Sequence, residues 1–298
     1  LECIGLIPPM SLNRSNLLVA FVLLTMVVGC VFRSDRGSVS RPEPAETPDA
    51  SASPAAAAPT PLKRPDVGDF IVEQQDISVA RFQRLDNQVK TEKMLEKAAD
   101  KLNQALILPH NILIRTRSCA EQNAFYDPKD RSVTICFEMM ERFLGVFKAS
   151  GETEERAYEK MFDAMRFVFL HEIGHALIDA YDLPVAGNEE DAADRLAAYV
   201  NLTELGEEGV KAVYAAADAF NLEAKQTVPS KRKFADEHLL NEQRFYTSLC
   251  MIYGSDASKH AKIVDAGYLP KERAVRCRSE YTRTVESWRS LLDPWRKR

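Results

Sequence analysis

Two histidines four residues apart, with a glutamate beside the first, form the run His171-Glu172-Ile173-Gly174-His175. On a helix, residues four apart are separated by about 400° of rotation, so they stand about 40° apart on one face, one turn above the other. Both imidazoles can therefore reach a single zinc ion. The carboxylate of Glu172 is then placed to take a proton from the attacking water and not to bind the ion. A catalytic zinc usually takes three protein ligands and leaves a fourth position open, so a third ligand is expected close by. Glu190 is the expected one. It lies in Asn188-Glu189-Glu190-Asp191-Ala192-Ala193-Asp194-Arg195, which reads as the start of a second helix, capped by Asn188 and carrying acids in its first turn. Glu190 and Asp194 share a face, which offers one carboxylate to the ion and leaves Asp194 to orient an imidazole through its other ring nitrogen. Glu189 and Asp191 read as solvated acids pointing elsewhere on that helix, which is also the alternative reading of Glu190.

The elements that must position these groups are legible in part. Met161, Met165, Val168 and Phe169 recur at helical spacing upstream of the motif, and Ala176, Leu177 and Ile178 continue the helix beyond it. Asp182-Leu183-Pro184 and then Gly187 supply a stop, and the turn folds the second helix back on the first. Two histidines and a glutamate on so apolar a helix would be costly to bury without a partner such as a metal. An early helix is expected from about Lys90 to Leu106. Ile112–Thr116 and Ser132–Cys136 read as strands around a turn at Asp127-Pro128-Lys129-Asp130. The C-terminal part reads as helical, with Leu249, Met251, Ile252, Trp288, Leu291 and Leu292 in the core. The fold class is α+β: a small sheet with an antiparallel edge packed on the metal helix, then a helical C-terminal part.

The pair of motifs resembles the zincin metallopeptidases of the glutamate-ligand group, in which His-Glu-x-x-His on one helix is followed by Glu-x-x-x-Asp on the next. The wider context, Phe169-Leu170-His171 through Asp194 with Glu237-His238 and Gln243-Arg244-Phe245-Tyr246 downstream, is similar to a bacterial metallopeptidase family whose substrates are poorly defined. The resemblance covers roughly Asp69 to Pro294 and is most specific at 171–198. It implies His171, His175 and Glu190 as ligands of one Zn²⁺ per chain, Glu172 as catalytic base and a polypeptide substrate. The third-histidine pattern of the metzincins is absent, because Ile178 and Tyr181 occupy the places of its glycine and last histidine. In a zincin, an edge strand ahead of the metal helix pairs with an extended peptide, and either strand of the hairpin could serve. A further catalytic donor for the tetrahedral oxyanion is expected from the C-terminal part. His238 is the candidate, with a capping or surface histidine as the equal alternative. His110 and His260 read as loop residues without a role.

The N-terminal region points to export. Residues 1–29 read as an upstream extension and a signal peptide, with an apolar run from Leu17 to Val28 that is too short for a membrane span of about 20 residues. Gly29 before Cys30 resembles a bacterial lipoprotein signal, which implies lipidation of Cys30 and a membrane anchor. Residues 30–67, rich in Pro, Ala, Ser and Thr, read as a disordered tether, and residues 68–298 as the enzymatic domain. Cys119, Cys136, Cys250 and Cys277 remain for disulfides in an exported chain, with Cys119–Cys136 and Cys250–Cys277 the preferred pairs. A formal charge of −5 gives no case for nucleic acid, and the basic end Trp295-Arg296-Lys297-Arg298 reads as a solvated tail. Together these features lead to a metallopeptidase of the bacterial cell envelope. The alternative is a non-catalytic zinc-binding lipoprotein, an interaction or metal-buffering module.

Overall fold

The helix that carries the two histidines is apolar on nearly every side, and the fold is built to surround it. The computed structural model describes residues 64–226, 230 and 237–297, all within one unit, Thr60–Arg298. The expected signal, Cys30 and the tether up to residue 63 lie outside the described residues. In chain order come strand β1 (Phe70–Val72), helices α1 (Gln83–Thr91) and α2 (Met94–Ala105), and strands β2 (Ile112–Arg117), β3 (Ala124–Asp127) and β4 (Ser132–Cys136). Helices α3 (Phe137–Ala149), α4 (Glu154–Tyr181), α5 (Glu189–Glu204) and α6 (Gly206–Gln226) follow. After residues 231–236 come α7 (Asn241–Ser255), the single turns α8 (Lys262–Asp265) and α9 (Lys271–Ala274), and α10 (Cys277–Leu292). The result is a mixed α+β domain, mostly helical, with one small sheet.

Helix α4 carries the motif. The Thr153 side chain caps it by accepting the Arg156 N–H at 3.2 Å, and Glu154 and Glu155 in the first turn suit the helix dipole. It ends where Asp182 takes a left-handed backbone, φ +48°. Met161, Ala164, Phe167, Ile173, Ala176 and Leu177 are almost completely buried, because α3 and the sheet pack on one part of the helix and α5 and α6 on another. Each such large apolar side chain stabilises the fold by about 1.5–3 kcal/mol. Over residues 161–178 the helix has little solvent face, so a charged group carried there is costly to leave without a partner.

The sheet order is β1-β2-β4-β3, with β1, β2 and β4 parallel and β3 antiparallel at the edge. This corrects the sequence reading, which paired Ile112–Thr116 with Ser132–Cys136 as a hairpin. The turn is in place, but its first arm is β3. Ala-Phe-Tyr-Asp is too short and too evenly half-buried to announce itself by alternation. Strand β2 instead runs parallel to β4, in a register that sets Arg117 opposite Cys136. The ends of these neighbours meet, and a disulfide joins Cys119 to Cys136. A second joins Cys250 in α7 to Cys277 at the start of α10.

Two further expectations change. The early helix is two helices, α1 and α2, because Glu92 and Lys93 fall where the apolar stripe through Leu85 and Val89 would continue. The chain breaks there, with Lys93 at φ +51°. The described part of the basic end, residues 295–297, is docked against the domain. Trp295 stacks on Tyr181 with ring centroids 4.0 Å apart, Arg296 donates to the Tyr199 hydroxyl at 2.7 Å, and Lys297 pairs with Asp66 at 2.6 Å. Arg64 lies over the other side of the arrangement, 3.8 Å from the Trp295 ring centroid. Residues 64–67, expected to belong to the tether, are thus fastened beside the last turn of α4.

Helix α5 approaches α4 at Gly174, the fourth residue of the motif. A Cβ added there would stand 3.1 Å from Ala193 Cα and 3.2 Å from Ala193 Cβ. Glycine costs a helix interior about 1 kcal/mol relative to alanine, and here the close approach of the two backbones offsets that cost. Gly174→Val is expected to lower stability by roughly 1–3 kcal/mol through overpacking and to weaken metal retention, because it moves the carboxylates of α5 away from the histidines. Gly145, in α3, has nothing within 4 Å of an added Cβ, so Gly145→Ala is the control, neutral or stabilising by up to about 1 kcal/mol. Urea denaturation of both variants, with metal content measured alongside, checks the pair.

Candidate metal centre

Asn188 starts α5 by accepting the Asp191 N–H on its side chain at 3.2 Å, which sets three acids in the first turn. From there Glu190 reaches both histidines of α4. His171 Nε2 and His175 Nε2 are 3.2 Å apart. Glu190 Oε2 lies 3.1 Å from the first and Oε1 lies 3.3 Å from the second. The ligand atoms of His171, His175 and Glu190 all fall within 4.8 Å of one another. These three residues could hold a metal ion.

The opposite side of each ring is also engaged. His171 Nδ1 is 2.8 Å from Asp194 Oδ1, and His175 Nδ1 is 2.7 Å from Glu189 Oε1. Glu189, half exposed as the sequence suggested, thus also holds an imidazole. Its side chain is long enough to curl from the first turn onto His175, which spacing along one helix face does not reveal. With each Nδ1 turned to a carboxylate, each Nε2 is aimed toward the other and toward Glu190, and in a neutral ring it would present its lone pair there. Glu190 Oε2 is buried and accepts no well-directed hydrogen bond. Lone pairs converging at this distance repel unless a cation or extra protons lie between them, and that is the evidence that the donor set fits a metal.

Asp194 is held from behind by Arg244 of α7, whose Nε and Nη2 donate to Oδ2 and Oδ1 at 2.8 and 2.7 Å. The guanidinium carbon sits 4.1 Å from the centroid of Phe220 in α6. Burial alone would raise the Asp194 pKa, but Arg244 and His171 hold it far below the usual carboxylate range. Arg244 stays charged, since Asp194 outweighs its own burial. The sequence placed Arg244 near the site without a role, because nothing local marks an arginine as the partner of an acid fifty residues earlier.

The remaining electrostatics follow from burial opposed by pairing. Burial works to lower the His171 pKa, yet the neighbouring carboxylates of Asp194 and Glu190 push it up to about 9 in the metal-free protein. His175 is raised too, Glu190 and Glu189 offsetting burial and the nearby His171. Glu190 is driven well below the carboxylate range by the two imidazoles despite its burial. Glu172 goes the other way. It is 6% exposed, burial raises its pKa while the histidines oppose, and its carboxyl has no hydrogen bond among the described residues.

His238 comes to the same place from the C-terminal part. Its ring stacks near that of His171, centroids 6.2 Å apart and planes 20° apart, and its Nε2 is 3.0 Å from Glu190 Oε2. It lies outside the three-residue cluster, however. The segment carrying it is latched by Asn188, whose Nδ2 donates to the Glu237 carbonyl at 2.8 Å. A cleft of about 390 Å³, lined by His175, Asn188, Glu189, Glu190 and Glu237, opens onto the cluster. His260 is buried against Tyr214 instead, its Nδ1 3.3 Å from the hydroxyl, and takes no part in the site.

Residues 75–292 match the model of a family described as "Putative metallopeptidase". The match spans more than half of the chain's 298 residues, including the whole site from His171 to Arg244. No curated protein and no solved structure matches the chain.

Two outcomes follow from this network. Arg244→Leu leaves Asp194 buried without its counter-charge, so stability should fall by about 3–5 kcal/mol and metal affinity by about 10–100-fold. Arg244→Lys should recover part of the affinity, as read by competition with a chromogenic chelator. In the metal-free protein the raised pKa of His171 contributes stability that is complete below its unfolded value near 6.5 and is lost as pH rises toward 9. A metal must displace that proton, so affinity should climb with pH across the same window. A flat titration of affinity against pH would exclude a protonated His171.

Proposed function

We propose that this chain, which belongs to the metallopeptidase family its residues match, is a zinc-dependent peptidase of zincin type that hydrolyses polypeptides in the bacterial cell envelope. The observation that carries the reading is the convergence of His171, His175 and Glu190 on one point with a buried, uncommitted Glu172 beside the first ligand. Ligand atoms about 2.0–2.2 Å from a tetrahedral ion stand about 3.3–3.6 Å from one another. The two imidazole nitrogens, 3.2 Å apart, are close to that, and Glu190 meets each with a different oxygen, at 3.1 and 3.3 Å. Two imidazoles and a carboxylate favour zinc. When bound, zinc polarises a carbonyl and brings the pKa of water toward neutrality.

The chain's own groups supply the rest. Glu172, its basicity raised by burial, takes the proton of the attacking water and delivers it to the leaving amine. Asp194 and Glu189 fix the tautomer and aim of the two imidazoles. His238 donates from Nε2 to the developing oxyanion, a role its position beside the cluster but outside it supports better than a fourth ligand. Strand β3 offers its free edge to an extended peptide. It is tied to the metal helix by the Tyr126 hydroxyl, which donates to Asp179 at 2.6 Å, one helical turn beyond His175.

Export and anchoring rest on the apolar run 17–28, on Gly29-Cys30 and on the two disulfides, which suit an oxidising compartment. Lipidated Cys30 would hold the domain at a membrane surface through the segment that follows. No helix among the described residues is long and apolar enough to cross a membrane.

Purified protein dialysed and analysed by elemental mass spectrometry should hold about one zinc per chain, as a single closed set of three ligands requires, and Glu190→Ala should lose it. Glu172→Gln should keep the metal while hydrolysis of an unfolded protein substrate falls by about 10²–10⁴. A folded protein that takes up no zinc would sink the peptidase reading. Zinc with no hydrolysis in the unaltered chain would favour the binding module instead.

A further inference from the structure

A larger cavity, about 570 Å³, lies beside the metal cleft and shares Asn188 with it as a common wall. Its other walls are Asp191 and Arg195 of α5, Leu239 just ahead of α7, Gln243, Tyr246 and Thr247 in its first turns, and Pro270 and Arg273 from α9 and the residue before it. Its size is in the range of small-ligand sites. None of the metal-centre residues needs it.

Its chemistry is apolar despite two arginines. Arg195 donates to Asp191 at 2.6 Å and to the Thr284 hydroxyl at 3.3 Å, and Arg273 holds Glu280 with two bonds of 2.8 and 2.6 Å, so each charge already faces a carboxylate and the carbon stems add apolar surface to the wall. Tyr246 is 40% exposed on the wall, and the segment that brings Pro270 and Arg273 also carries Tyr268 and Val275, 63% and 79% exposed. These are three of the five large apolar side chains left exposed among the described residues, all carried by segments that also line the cavity. On the other side, Glu189, Glu190 and Glu237 line the metal cleft and repel an acidic side chain approaching it.

We infer that this cavity is the subsite for a large apolar side chain of the polypeptide substrate, at one fixed position from the scissile bond. Tyr246 and Thr247 of α7 then set specificity. The inference rests on the peptidase reading above and adds the class of residue that the enzyme selects. Continuity with the metal cleft through Asn188 makes the occupant a side chain of the same peptide whose carbonyl faces His171 and His175, and the paired arginines leave little to select a charge.

The test is cleavage-site profiling of the zinc-loaded full chain on a proteome-derived peptide mixture, read by mass spectrometry. Large apolar residues should be enriched by about tenfold or more over charged ones at a single position. Thr247→Trp, which fills the cavity, should shift that position toward glycine and alanine. Tyr246→Asp, which puts a carboxylate on the cavity wall, should lose most of the apolar enrichment at that position. Cleavage without any apolar enrichment, or with an enrichment that both variants leave unchanged, overturns the subsite and leaves the peptidase intact. No cleavage of any peptide by zinc-loaded protein overturns both.

Discussion

A buried carboxylate, Asp194, lies between His171 on one side and Arg244 on the other, and the rest of the site depends on that sandwich. An isolated charge at such depth would cost several kcal/mol. It is tolerated because Arg244 meets it with two parallel hydrogen bonds and is itself spread over the face of Phe220. The same carboxylate leaves His171 one orientation, so its Nε2 faces His175 and Glu190. One ion pair thereby joins four helices: α4, α5, α6 and α7.

Around that sandwich the fold solves a packing problem. Helix α4 is buried along most of its length, which makes it a rigid support for groups that must hold their spacing. Rigidity alone would not suffice, since the carboxylates arrive from another helix. Gly174 lets α5 close onto α4, and Asn188 both caps α5 and latches the segment that brings His238. One disulfide ties the end of β2 to β4, and the other ties α7, which carries Arg244, to the start of α10. The docked C-terminal residues close the last turn of α4 under Trp295.

The distribution of acids and bases then divides the labour. His171, His175 and Glu190 are drawn together with pKa values displaced in opposite directions, as expected of a set that stabilises a cation. Glu172, one residue from the first ligand, shares their burial but none of their bonds. Environment, and not residue type, separates the carboxylate suited to binding from the one suited to moving a proton.

Much of this was legible in the sequence, because local geometry wrote it there. Two histidines four apart, two carboxylates four apart and the caps of both helices are short-range patterns, fixed by the pitch of a helix and by the chemistry of its ends. The disulfide pairs were legible for a related reason, although the first joins parallel neighbours and not the arms of a hairpin. What tertiary structure alone decided involves long-range neighbours. It chose β3 as the free edge, turned Glu189 onto His175, brought Arg244 to Asp194 and docked the basic end that composition alone would leave in water. Such pairings have no period and no fixed spacing. Their partners are selected by which surfaces meet once α4 is buried, and that is a property of the packed molecule.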